Sequence, residues 1–226
     1  MNKPLTQQTF KKALTILAEG DGDLQNIIDR FGNPPIWRRP KGFGTLVLLI
    51  LEQQVSLASA KAAFERLSAV AGTLEPDTLL ALDDAQFRGA GVSRQKTRYI
   101  RHLSECVTDG SLRLDRLSRL DDDGVRAALT QVKGIGPWTA EVYLLMCLMR
   151  PDVWPVGDIA LQAAAHEVKG LAARPSPDEL TELGERWRPW RSVAARILWH
   201  HYLNTVRKRP GPSAAPAEEP DPAGAR

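Results

Sequence analysis

Cysteine is almost missing from this 226-residue chain, which has only Cys106 and Cys147. Two thiols cannot build a disulfide scaffold or the four-thiolate cradle of an iron–sulfur cluster. Both therefore read as small buried apolar residues in a reducing compartment. No uninterrupted apolar run is long enough to cross a bilayer, and no signal peptide opens the chain, so a cytoplasmic, nucleoid-associated protein without membrane contact is expected. Strand signals are missing too: the run from Leu46 to Leu51 has neither alternation nor flanking hairpin turns. No repeat period appears. His166, His200 and His201 do not stand at metal-ligand spacing.

What remains is an ordinary globular composition, 43% hydrophobic and 25% charged, long enough for one compact unit or two closely packed lobes. The net charge is +3 and the pI about 9.0. Glu218, Glu219 and Asp221 outnumber Arg226 in the tail, so the body is more basic than the whole chain. A modestly basic body is compatible with nucleic acid and does not identify it. Residues 208–226, rich in Pro, Ala and Gly, bury too little apolar surface to fold, and read as disordered.

Helical periodicity covers the rest. Helices are predicted over 6–19, 24–30, 43–51, from Ser56 to about 70, 76–87, 94–107, from the acids Asp121, Asp122 and Asp123 into the next segment, 137–149, 158–168, 177–187 and 189–204. Those over 43–51 and 137–149 are apolar nearly all round, as buried central helices are. Pro34, Pro35, Pro40 and Gly42 mark a connection, and 112–120 is a polar one.

The chain is organised around residues 132–161. Gly134 and Gly136 lie between two amphipathic segments, which predicts two helices joined by a turn with two residues free to take positive φ. Pro137 suits the first turn of the second helix. Outward N–H groups at such a hairpin form a site for an anion such as phosphate. Asp158 follows about twenty residues on, at a helix start. An ordinary helical turn and an ordinary Asp N-cap account for these residues equally well one at a time.

Taken together they resemble the helix-hairpin-helix DNA glycosylase superfamily. Residues 133–142 are similar to its hairpin, and Asp158 stands where that family keeps its essential aspartate. Three more segments agree in order: Leu51-Glu-Gln-Gln-Val-Ser56, Gly91-Val-Ser-Arg-Gln-Lys96 and Trp187-Arg-Pro-Trp-Arg-Ser192. The similarity spans about 42–202 and points to the alkylpurine, 3-methyladenine DNA glycosylase II branch.

The resemblance implies an all-α, two-lobed helical bundle with an interlobe cleft. Residues 1–42 and 153–207 would form the terminal lobe, and 43–152, with the hairpin at 122–149, the central one. It implies a monomer acting on double-stranded DNA that contains damaged bases, flipping the damaged nucleotide out of the stack. Asp158 would stabilise the oxocarbenium-like sugar and orient water. Trp138 and Trp199 would line the base pocket, together with Val142 and Ile159, where the best-known relatives carry tyrosines. Gly134, Gly136, Lys133 and Thr139 would hold a DNA phosphate. The backbone carbonyls of Lys133 and Ile135 would share a structural Na+ or K+ with it, no other cofactor being required. Gln53 and Gln54 align with the element that fills the gap left by the flipped nucleotide, and Ser93, Arg94 and Lys96 with a phosphate-contacting turn. Arg188, Arg191 and Ser192 would fix the last helix.

Lyase relatives carry a Schiff-base lysine where this chain has Trp138, so a monofunctional hydrolase of alkylated bases is predicted. Two alternatives remain at this point. One is a bifunctional glycosylase-lyase acting on oxidised bases, the other a catalytically silent DNA-binding module.

Overall fold

The computed structural model describes residues 3–205, and among them it contains twelve α-helices, one short 3-10 turn at Leu117–Arg119 and no strand. The all-α expectation holds; the tail at 208–226 lies outside the described residues. The helices are α1 (Gln7–Gly20), α2 (Gly22–Phe31), α3 (Phe43–Glu52), α4 (Leu57–Ala71), α5 (Pro76–Ala81) and α6 (Asp84–Gly89). They continue as α7 (Arg94–Thr108), α8 (Asp122–Thr130), α9 (Pro137–Met146), α10 (Ile159–Val168), α11 (Pro177–Glu185) and α12 (Arg191–Asn204).

Short polar side chains start most of them. Thr6, Asp21, Ser56, Ser93, Asp121, Asp158 and Ser176 each accept a hydrogen bond from a first-turn N–H of the helix they open. Each such cap is worth about 1 kcal/mol. One prediction fails for the same reason. Residues 76–87 form two helices because Asp83 and Gln86 make a reciprocal capping box, which starts α6 afresh after an extended Leu82. The helix expected over 137–149 stops at Met146; Met149, at φ 56, turns the chain so that its carbonyl accepts from Leu5 N.

The packing separates two groups. In one, α3 lies against α4, α7 and α9, with α5 and α6 on α7 and α8 on α9. In the other, the N-terminal pair α1 and α2 packs against α12, which also carries α10, so the first and last described helices combine. Both apolar helices named above are buried as expected: α3 through Leu46, Val47, Leu49 and Ile50, α9 through Ala140, Val142, Leu144 and Leu145.

Arg196 joins the groups. Its guanidinium, wholly buried, donates to the carbonyls of Ile36, Leu145 and Ser192. Burial pulls its pKa down, and the three carbonyls satisfy three of its five N–H groups. Arg191 and Arg188 bind Asp152, while Ser192 Oγ accepts from Val153 N, so this stretch does anchor α12. Together these contacts set where α12 stands relative to α9 and the start of α10.

Candidate active site

Asp158 is the N-cap of α10, its Oδ1 accepting from Leu161 N at 2.8 Å. Two tryptophans from other helices share the carboxylate. Trp199 Nε1 of α12 donates to Oδ1 at 3.0 Å, and Trp138 Nε1 from the first turn of α9 donates to Oδ2 at 2.8 Å. Capping and a place in a site are therefore compatible for this residue. Three N–H donors aim at a carboxylate that offers about four acceptor positions, two on each oxygen. Oδ1 takes two of them and Oδ2 one, which leaves a lone pair on Oδ2 beside the Trp138 ring.

The other expected pocket residues divide. Trp138 is half-buried, with its ring orientation fixed by the bond to Asp158. Trp199 is 8% exposed and lies in the core, reaching the site through its N–H. Val142 is buried at 4% exposure behind Trp138, one turn further along α9. Ile159, next to Asp158, is 65% exposed, which is unusual for so large an apolar side chain.

The hairpin joins α8 to α9, and only one of its glycines takes the conformation expected of both. Gly134 has φ 93; Gly136 has φ −93 and ψ 179, an extended N-cap open to other residues. Gly134 has a second reason to be glycine. A Cβ there would be driven into the ring of Tyr99 on α7. Neighbouring groups brace the turn. Lys133 N donates to His102 Nδ1 at 3.1 Å, and Gln53 Nε2 donates to Gly134 O at 2.8 Å and to Thr139 Oγ1 at 3.2 Å. Arg126 of α8 pairs with Glu141 of α9 at 2.6 Å, and the acids around it raise its pKa against the pull of burial.

The N–H groups of Gly134, Gly136, Trp138 and Thr139 meet no acceptor among the described residues, whereas that of Lys133 is taken by His102. A row of open N–H groups at a helix start suits an anion. The carbonyls of Lys133 and Ile135 accept no hydrogen bond among the described residues, while that of Gly134 is occupied by Gln53. Open carbonyl oxygens are hard ligands of the kind that a monovalent cation takes.

Around the second motif the placement departs from expectation. Ser93 is the N-cap of α7 and Arg94 is exposed. Lys96 turns its ammonium inward, donating to the carbonyls of Leu51 and Gln53 at 2.8 Å each. Desolvation lowers its pKa. Gln53 is committed to the hairpin, while Gln54 is exposed in a left-handed conformation, φ 57. Tyr99 and His102, which brace the hairpin, were not singled out from the sequence. Their signal is a polar stripe of Lys96, Tyr99, His102 and Cys106 at steps of three and four along α7.

Among the described residues no cluster of His, Cys, Asp or Glu could hold a metal ion, and no helix is long and apolar enough to cross a membrane. Both thiols are free; burial pushes that of Cys147 up to about 12.

Comparison with known proteins places this geometry in context. Residues 47–189 match the model for the HhH-GPD superfamily base excision DNA repair protein. A putative DNA-3-methyladenine glycosylase of Bacillus subtilis is 26% identical over 85% of this chain and 74% of its own length. The crystal structure of a DNA-3-methyladenine glycosidase from Bacillus halodurans is 35% identical, with a TM-score of 0.71 over 86% of this chain and 90% of that one. A Schizosaccharomyces pombe 3-methyladenine DNA glycosylase, solved in complex with abasic DNA, is 26% identical with a TM-score of 0.76 over 83% and 95% of the two chains. Some relatives are much longer: 84% of this chain matches only 39% of the length of a probable bifunctional transcriptional activator/DNA repair enzyme of Mycobacterium tuberculosis, at 32% identity. With the hairpin, the capping aspartate and a matched region of this extent in agreement, the chain belongs to the HhH-GPD superfamily of base excision DNA repair proteins.

Proposed function

We propose that this chain is a monofunctional DNA glycosylase that excises alkylated bases of the 3-methyladenine type by hydrolysing their N-glycosidic bond. The observation that carries this reading is the carboxylate of Asp158, held by the indoles of Trp138 and Trp199 with one acceptor position on Oδ2 left open.

Breaking the bond puts positive charge on the sugar, and a carboxylate fixed beside C1′ stabilises that charge at no reorganisation cost. The same oxygen can orient the attacking water. To reach the site the damaged nucleotide leaves the stack of double-stranded DNA. Trp138 offers a flat electron-rich face to a cationic purine, and the exposed Ile159 an apolar wall. An alkylated purine cation is already a good leaving group, so the reaction requires no strong general acid. Gln54, exposed at the tip of its turn, fills the gap left in the stack.

Backbone N–H groups of Gly134, Gly136, Trp138 and Thr139 hold a phosphate, with exposed Lys133 and Arg94 adding charge nearby. The carbonyls of Lys133 and Ile135 would hold a Na+ or K+ that shares that phosphate. The enzyme acts as a monomer and needs no other cofactor. It does not cut the backbone: the position of a Schiff-base lysine is filled by Trp138, and Lys133 lies in the turn with its N–H on His102.

Incubation with methylated duplex DNA, followed by chromatography of the released bases and electrophoresis with and without alkali, tests this. The expected result is free 3-methyladenine, with strand breaks only after alkali. Direct breaks with borohydride trapping would make it a lyase, and binding without release a silent module.

A further inference from the structure

We infer that Lys96 is a positioning residue: it pins the end of α3 so that the turn carrying Gln54 stands in fixed register with the hairpin. This rests on the glycosylase reading above and adds to it a residue that never meets DNA.

Lys96 is badly placed for its own helix. It sits in the first turn of α7, three residues after the Ser93 cap, where the macrodipole repels a cation. Burial makes matters worse by favouring the neutral amine. Two costs at one residue call for a compensating partner, and the partner is the end of another helix. The last carbonyls of α3 have no donors of their own, and the ammonium supplies two protons, to Leu51 O and Gln53 O. A positive charge at a helix C-terminus is favourable where one at an N-terminus is not.

The consequence falls on the next residue. Gln53 is fixed at both ends, its carbonyl by Lys96 and its side-chain amide by Gly134 O and Thr139 Oγ1. Gln54 follows at φ 57, a conformation that costs a non-glycine residue on the order of 1 kcal/mol or more unless the surroundings impose it. Val55 after it is 47% exposed, Ser56 caps α4, and the first residue of that helix, Leu57, is 52% exposed. Lys96 and Gln53 are thus the two attachments that hold an exposed, left-handed residue at a set distance from the hairpin. A turn so held occupies a vacated base position without being ordered first. A loose one must be ordered at the moment of flipping.

The test is base release by Lys96→Met on two duplexes, one with N7-methylguanine opposite cytosine and one with it opposite a tetrahydrofuran abasic analogue. The second substrate has lost its pairing, so extrusion costs less. Single-turnover release is expected to fall about tenfold or more on the paired substrate and to stay within about twofold of wild type on the unpaired one. The slope of log K against log salt for DNA binding is expected to be unchanged. An equal loss on both duplexes, or no loss on either, overturns the inference and indicates a merely structural lysine or a dispensable one. A slope reduced by about one also overturns it, since that marks a lost phosphate contact. Should Lys96→Met fail to fold, Lys96→Gln, which keeps one donor for the carbonyls, is held to the same criteria. A wild-type protein that frees no base from either duplex and no 3-methyladenine from methylated duplex DNA overturns the glycosylase reading along with the inference; a wild type that works with an indifferent variant overturns the inference alone.

Discussion

Trp138 donates its indole N–H to Oδ2 of Asp158 at 2.8 Å, across twenty residues of sequence and between the starts of two different helices. The bond couples the two halves of the proposed chemistry. One residue offers a ring face to the base and the other a carboxylate to the sugar, and neither can rotate without releasing its partner. Trp199 repeats the arrangement from the opposite group of helices, so the carboxylate stands where α9, α10 and α12 converge.

Replacing Asp158 by Asn separates its two jobs. Asn caps a helix about as well as Asp, so α10 should survive and the melting temperature should change by only a few degrees. The amide nitrogen cannot accept from an indole N–H and carries no charge to stabilise the sugar. Base release is expected to fall by about a thousandfold or more, with DNA binding retained. Single-turnover kinetics beside a gel-shift titration check this, and an Asn variant with a tenth of wild-type activity removes Asp158 from the chemistry.

Trp138→Phe keeps an aromatic face, smaller than the indole, and deletes the donor. A hydrogen bond to a charged group contributes roughly 1.5–3 kcal/mol, so release should slow by about tenfold to a hundredfold while affinity for a cationic purine base changes little. The same substitution at Trp199, buried in the core, should slow release and also lower the melting temperature, because the smaller ring leaves a cavity. If Trp138→Phe is as fast as wild type, the ring is a platform only and its bond to Asp158 is incidental.

Much of this fold is legible because its helices are started by local chemistry. Ser56, Ser93, Ser176 and Asp158 are caps that anyone reading the sequence can mark. The capping box from Asp83 to Gln86 was equally visible, and its local signal overrides the apolar periodicity that joined 76–87 into one helix. Positive φ at Trp37, Gln54 and Met149 has no such signature, because tertiary contacts impose it on residues that do not seek it. Lys96 illustrates the same limit in the site. A lysine in an exposed-looking motif reads as a phosphate contact, and only the arrival of α3, 45 residues away in sequence, turns it inward. Trp199 is expected from the sequence to line the pocket, whereas its ring lies in the core and only its N–H reaches Asp158, which depends on α12 lying across the start of α10.

At Gly134 two independent penalties predict what alanine would do. The backbone angle of φ 93 costs roughly 1–2 kcal/mol for an L-residue, and a Cβ collides with the Tyr99 ring, which adds about 1–3 kcal/mol of overpacking. Gly134→Ala is expected to lower the melting temperature by about 8 °C and to weaken DNA binding, because the N–H row shifts with the turn. Tyr99→Ala in the same chain should relieve the collision and not the backbone cost, restoring part of the stability. Full additivity of the two variants would show that the ring and the glycine do not touch.

Acid stability depends on a different carboxylate, Asp21. Asp21 caps α2 while accepting from Lys169 Nζ and Trp187 Nε1, joining the N-terminal pair to the loops that flank α11. Burial alone would raise its pKa; the hydrogen bonds from Lys169 and Trp187 outweigh that and hold it below the ordinary carboxylate value near 3.8. A carboxylate depressed in the folded state contributes stability that is fully present above the unfolded value and is lost as pH falls through the folded one. Asp21→Asn keeps the cap but gives up the charge opposite Lys169, so it should be less stable than wild type by a constant margin from pH 5 to 8. Below about pH 4 the aspartate of the unfolded chain takes up its proton first, so the margin shrinks, and the two urea midpoints should converge once the pH has passed the lower folded-state value. A margin that shrinks already between pH 7 and pH 5 would assign the difference to another group, and equal midpoints at neutral pH would mean that this ion pair does not hold α2 to the loops that flank α11.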